Sequence, residues 1–308
     1  MRAKVVTITL METASIPSSQ SQSTSKTSAL AIASLVCGVL GLCLLLPSLF
    51  GGILGIIALI KINKSNGALK GSGLAIAGLV TSALSIVTVG IFASMLLPAL
   101  AKAKAKAIRI KCVNNLGSIG KAHTGFAMDN SQRMPWQLDP MQRENHFGSA
   151  ANQGLTVGAI FGMPAMKAEL ITPKILLSPS DPGRAAANEI LQMSWGSYNT
   201  KEGTPIPTEN ISYGLCEGGD TQRPSTVIAL TKNIRSDLTS DWTGADESPV
   251  HPHAFAGLNK SQGQMVLSDG SAKQSSNADL GSHGRITKAH VNSLGGQTQG
   301  NASPAVLR

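Results

Sequence analysis

The sequence predicts an α+β membrane protein: N-terminal transmembrane helices, the last running on into a long helix, then a small antiparallel β domain. Three observations carry this. Residues 74–97 form a stretch of 24 residues without a charge, about 36 Å as a helix and enough for a hydrocarbon core of about 30 Å. Ile108, Cys112, Leu116, Ile119 and Phe126 then recur at spacings of three, four or seven, one apolar face of a continuing helix. Short strand-like runs follow only later, around residues 210–215, 225–230 and 264–268, the last meeting an Asp269-Gly270 turn and a returning run. Helix first and strands afterwards is the order of an α+β domain, and Asp-Gly between two such runs marks a hairpin.

Residues 1–28 read as a disordered leader, because SIPSSQSQSTSKTS offers almost nothing to bury. MRAKVVTITL has basic residues before an apolar run, but no small-residue cleavage site follows, so no secretory signal is assigned and translation starts at Met1 or Met11. Residues 29–60 are a 32-residue apolar run broken by Pro47 and by Gly51-Gly52. It predicts either one long tilted span or a span of about 18 residues followed by a shorter re-entrant piece. Gly51 and Gly55 have the spacing that lets two membrane helices approach closely, and Cys37 and Cys43 read as small apolar fillers. A short loop with Lys61, Lys64 and Lys70 leads to the second span. Pro98 is placed to kink the helix where it leaves the bilayer. The remaining divisions are a membrane region at 29–97, a soluble domain at 98–280 and a flexible tail at 281–308.

Charge separates these regions. Up to residue 128 the only acid is Glu12, against twelve Lys and Arg; from Asp129 on there are sixteen acids and fourteen Lys and Arg. The net +9 therefore belongs to the membrane flanks: Lys61, Lys64 and Lys70 on one side of the second span, Lys102, Lys104, Lys106, Arg109 and Lys111 on the other. A nucleic-acid partner would need the basic surface on a folded domain with stacking aromatics, so the partner read here is the lipid bilayer. Positive charge on both flanks leaves the orientation open, with a slight excess favouring a cytoplasmic C-terminus.

Candidate chemistry is sparse. Cys112 and Cys216 are the only cysteines of the soluble region; in an oxidising compartment they either pair or stay free thiols. His251-Pro-His253 with His283 and His290 fits no strong metal template. Asp269 could offer a carboxylate to Ca²⁺, but turn chemistry already accounts for Asp-Gly. Asp241 and Asp246-Glu247 do not form a spaced catalytic pair, and no G-x-S-x-G, phosphate-binding loop or H-E-x-x-H is present. No catalytic residue, cofactor or metal is expected.

Two resemblances add to this. SALAIASLVCGVLGL, GGILGIIALIKINKSNG and LKGSGLAIAGLV resemble the DUF4190 membrane domain over about residues 28–95, a family without established activity. LLPALAKAKAKAIRIKCVNNL resembles the N-terminal helix of pseudopilin-like proteins, relatives of type II secretion pseudopilins and type IV pilins. That likeness extends in patches over about residues 95–280: LSPSDPGR, with Ser178 where the family carries Cys; ENISYGL; and GLNKSQGQMVLSDGSAKQ, resembling the family's H-x9-DG hairpin through Asp269 and Gly270, with Asn259 in the His place. The Glu at the fifth position after the glycine of the pilin signal is missing from Gly73-Leu74-Ala75-Ile76-Ala77-Gly78, which argues against prepilin-peptidase cleavage. The resemblance implies a pilin-like helix, a soluble domain on the periplasmic side of the bacterial inner membrane, and other pseudopilin-like or envelope proteins as partners. The expected function is that of a multi-pass, membrane-anchored structural or interaction protein of the cell envelope. The alternatives are a genuine secretion or pilus pseudopilin assembling into a filament and a membrane-tethered metal-dependent hydrolase.

Overall fold

The computed structural model describes residues 26–27, 29–40, 45–65, 69–181, 191, 193–244, 255, 258 and 261–308. The chain divides into two compact units, Met1–Ala99 and Leu100–Arg308. Predicted features at the leader 1–25, Cys43, His251, His253, Asp246, Glu247 and Asn259 lie outside the described residues.

In the first unit, β1 (Lys26–Thr27) precedes α1 (Ala29–Leu40) and α2 (Leu45–Lys64), and β2 (Leu69–Lys70) leads into α3 (Ser72–Asp129), which supplies residues to both units. The apolar run at 29–60, expected as one tilted span or as a span followed by a re-entrant piece, holds two helices among the described residues. These are a 12-residue helix followed by a 20-residue one, about 18 and 30 Å long. β1 pairs with β2 in parallel, Lys26 opposite Leu69 and Thr27 opposite Lys70, so α1 and α3 start side by side and run the same way. A Cβ added to Gly78 of α3 would lie 2.8 Å from the Ser34 carbonyl carbon of α1, so only glycine permits this approach. α2 runs against α3: Gly55 faces Ala75 and Leu79, and Gly52 faces Ser82. Of the Gly51/Gly55 pair, Gly55 therefore makes a contact within the chain.

Small residues fill the inside of this unit, with Ala31, Ala58, Ala75, Ser34, Ser82 and Ser85 buried, whereas Ile53, Ile56, Ile76, Val80, Leu84 and Val87 are exposed. Water would drive the large groups inward; hydrocarbon leaves small-residue packing as the basis of association. The interior hydroxyls need no water. Ser34 donates to the Ala31 carbonyl at 2.9 Å, Ser82 to Gly78 at 2.8 Å and Ser85 to Thr81 at 2.7 Å. Pro98 sits inside α3 without ending it.

The second unit is built on the C-terminal part of α3. Cys112, Leu116, Ile119 and Phe126 are buried and Ile108 is half-buried, so the apolar face read from spacing is the face that packs. After it come α4 (Pro140–Phe147), α5 (Val157–Phe161) and α6 (Pro164–Leu170). α4 opens with a capping box in which the Asp139 carboxylate accepts from the Gln142 amide at 2.8 Å and the Gln142 side chain accepts from the Asp139 amide at 3.3 Å. α6 ends at Leu170, and a 3-10 turn at Pro173–Leu176 continues the path.

The sheet comprises β3 (Tyr213–Cys216), β4 (Val227–Thr231), β5 (Gln262–Leu267), β6 (Ala272–Ser276) and β7 (Val306–Leu307) in the order β6-β5-β4-β3-β7, with every neighbour antiparallel. The predicted strands are β3, β4 and the β5–β6 hairpin, which turns at Asp269-Gly270; Gly270 takes φ +83° there. Both faces are covered. Tyr213, Leu215, Ile228 and Val266 join the core that contains Leu116, Ile119 and Phe126 of α3. Cys216, Val227, Leu230, Met265 and Leu267 join a second core with Leu280 and Ile286. Gly120 of α3 lies on the sheet so closely that a Cβ would come within 2.6 Å of Val266 Cγ2.

That second core corrects the reading of 281–308 as a flexible tail. The segment carries α7 (Arg285–Val291), whose Ile286 is buried, and ends in β7, where Leu307 pairs with Leu215 and Val306 with Cys216. Its Gly, Ser, Asn and Gln content suggests disorder, but a few apolar side chains at the right positions are enough to complete the uncovered sheet face.

Candidate functional site

Among the described residues, one helix, α3, is long and apolar enough to cross a membrane, and 22% of its most apolar stretch is buried. A core helix of a water-soluble protein would be mostly covered; here Ile91, Phe92, Met95, Leu96 and Leu97 are each more than half exposed. Five positions after Leu97 the basic run begins at Lys102. Lys102, Lys104, Lys106 and Lys111 are exposed and Arg109 is half-buried. Lys61 and Lys64, also exposed, occupy the last turn of α2, where cations meet the negative end of the helix dipole; Lys70 is in β2.

Three buried clusters of polar side chains stand out among the described residues of the second unit. In the first, Cys112 and Cys216, read as a possible pair, point to different partners and are free thiols. Cys112 Sγ lies 2.9 Å from Ser178 Oγ and 3.5 Å from Ser180 Oγ. Beside them Asn115 Nδ2 donates to the Tyr213 hydroxyl at 3.2 Å and to the Leu177 carbonyl at 3.3 Å. Burial pushes the Tyr213 hydroxyl well above its ordinary pKa, with further upward pressure from Cys112.

Cys216 belongs to the second cluster, with His290. The His290 Nδ1 accepts from the Val227 amide at 3.0 Å, which places the ring proton on Nε2, and that N–H donates to the Ser303 carbonyl at 2.8 Å. Cys216 Sγ lies 3.7 Å from Nε2. A Cys–His nucleophile needs a thiolate beside a base that can take its proton. Here burial pushes the thiol up to about 12 and holds His290 below its ordinary range. The facing nitrogen already carries its proton, so the pair packs α7 and β3 together.

The third cluster is one the sequence did not reveal. Asp220 and Arg223, between β3 and β4, are almost fully buried with their charged atoms 4.0 Å apart. Asp220 Oδ2 accepts from Gln137 Nε2 at 3.0 Å and from the Gln297 amide at 2.9 Å. Arg223 donates to the carbonyls of Gly295 and Thr298. Its partners lie more than seventy positions away in a Gly- and Gln-rich stretch, so no local spacing signals it.

The two described histidines of the predicted group, His283 and His290, have different surroundings. His290 is buried, whereas His283 is exposed and bonded to Ser282 at 2.9 Å. Asp269 Oδ1 accepts from the Ser271 amide at 2.8 Å, the ordinary role of an aspartate in such a turn. Among the described residues no group of three or more His, Cys, Asp or Glu side chains comes together to hold a metal ion. A cleft of about 580 Å³ is lined by Leu138, Pro140, Arg143, Glu144 and Gly148. Arg143 is engaged there, donating to the carbonyls of Ala151 at 2.8 Å and Gln153 at 3.1 Å.

No curated protein and no solved structure matches the chain. Residues 30–92, which cover α1, α2 and the start of α3, match the family described as Domain of unknown function (DUF4190).

Proposed function

We propose that this chain is a membrane-anchored structural or interaction protein of the bacterial cell envelope. The first unit is its multi-pass anchor in the inner membrane, and the second is a pseudopilin-like domain displayed on the periplasmic side. The observation that carries this is α3 itself: one 58-residue helix whose first part is apolar and uncovered and whose last part is the spine of an α+β domain. The inner clusters support a structural role, since Cys112, His290 and Asp220 each meet a partner from a distant part of the fold.

The test is sidedness. Cys112 and Cys216 are buried, so an impermeant thiol reagent needs an exposed target. Ser282→Cys in a background with all four native cysteines replaced provides one. Labelling of intact spheroplasts is the expected result. Labelling only after lysis would put the domain in the cytoplasm and overturn the periplasmic reading.

A filament-forming pseudopilin is the second reading, favoured by a helix packed across an antiparallel sheet through Gly117 and Gly120. It requires α3 to leave the bilayer, whereas Gly78 holds α3 against α1 and Ser82 faces α2. A mature band lacking residues 1–73 would establish that reading in place of the first.

A further inference from the structure

We infer that the basic run of α3 is a collar that selects anionic phospholipid headgroups; this rests on the membrane-anchor reading. At roughly 100° of rotation per residue, Lys102 and Lys106 fall on one side of the helix, and Lys104 and Lys111 on the opposite side. All four are exposed. Among the described residues none of the four is in a salt bridge, and the first acid after them in the sequence is Asp129.

The distribution names the ligand. A rigid polyanion such as a nucleic-acid duplex docks against one side of a helix and would reach about half of these charges. A layer of headgroups pierced by the helix surrounds it and reaches both sides. Ala103 and Ala105 separate Lys102, Lys104 and Lys106, and Ala101 and Ala107 flank them; these short side chains leave the lysine stems free to bend toward the layer. No aromatic residue lies between Phe92 and Phe126, so no platform for base stacking accompanies the charge. Cations near a negatively charged leaflet attract acidic lipids through a field that salt screens. Phosphatidylglycerol is the simplest probe of that chemistry.

The experiment uses the full chain reconstituted into vesicles of phosphatidylcholine alone and of phosphatidylcholine mixed with phosphatidylglycerol. Flotation reads insertion, and the lipid retained after gentle detergent extraction reads selectivity. The expected result is flotation with both vesicle types and several-fold enrichment of phosphatidylglycerol around the protein. That enrichment falls to the bulk ratio at high salt and in the variant combining K102Q, K104Q, K106Q and K111Q, which still floats. Retained lipid at the bulk ratio in the unmodified chain overturns the collar while leaving the anchor standing. Enrichment that survives the four substitutions assigns selectivity elsewhere and also overturns it. Failure to float with neutral vesicles overturns the anchor reading and takes the collar with it. Displacement of phosphatidylglycerol by an added DNA duplex would reassign the lysines to nucleic acid.

Discussion

The hydroxyl oxygen of Ser178 lies 2.9 Å from the sulfur of Cys112, and both atoms are buried. One residue comes from α3 and the other from the loop before the Ser-Asp sequence at 180–181, 66 positions away. The fold of the LSPSD segment thus brings the Ser178 side chain directly to the thiol.

Ser178→Cys should therefore form a disulfide with Cys112 under oxidising conditions, because the two side chains are aimed at each other and need only a small further approach. Closing a loop of that length corresponds to about 4 kcal/mol in the chain-entropy view. The checks are a loss of two thiols on denatured titration and a higher denaturation midpoint that returns to the parent value with reductant. In cells the bond would form only in the periplasm, so quenched extracts report the compartment as well. Two free thiols after oxidation of the purified variant would contradict the geometry.

Gly78→Leu should weaken the first unit, since the added side chain meets the backbone of Ser34 and Leu35 within 3 Å. Overpacking of this kind costs about 1–3 kcal/mol, and here the obstacle is backbone. Gly90→Leu is the control: nothing lies within 4 Å of a Cβ at Gly90, and leaving glycine favours the helix. Thermal melts in detergent should show a lowered midpoint for the first variant and an unchanged or raised one for the second.

These two sites mark what was legible and what was not. The α3 face, the span at 74–97 and the β5–β6 hairpin follow from periodicity, uncharged length and an Asp-Gly turn, all local signals. Gly78 against Ser34, Ser178 against Cys112 and Arg223 against Thr298 join distant positions. A single chain carries no pattern that pairs them. The 281–308 segment misleads for a related reason: its composition is that of a linker, while Ile286 packs in the second core and Val306 and Leu307 pair with β3.

Stability of the second unit should fall with acid. His123 is fully buried, its Nδ1–H donates to the Ile119 carbonyl at 2.8 Å, and its ring packs on Trp136 and Phe161. Burial lowers its pKa from 6.5 to about 4. Between those values the unfolded chain takes up the proton and the folded chain does not. Stability is therefore complete above about pH 6.5, declines as pH falls toward 4, and levels below. By pH 5 His123 alone accounts for about 2 kcal/mol. His146 and His290 are lowered by burial too, and act in the same direction. Urea titrations at pH 7.5 and pH 5 check this; His123→Phe should leave the slope with pH clearly shallower. An unchanged slope would mean that the imidazole takes up its proton at the same pH in the folded and the unfolded chain.

The Asp220–Arg223 pair should govern whether the C-terminal segment stays attached. Asp220→Ala leaves the Arg223 guanidinium buried with no carboxylate, and Arg223→Met leaves the reverse. Breaking one side of a buried pair costs about 3–5 kcal/mol, whereas replacing both partners by apolar groups is often close to neutral. The Arg223 Nη1 already lacks a partner, so the pair is imperfectly satisfied and the double replacement should recover much of either single loss. Limited proteolysis provides the second measurement. The Gly295 and Thr298 carbonyls are held by Arg223 and the Gln297 amide by Asp220, so each single variant should be cut faster after Lys288. Cleavage at the parental rate in Asp220→Ala would show that α7 and β7 hold the segment unaided.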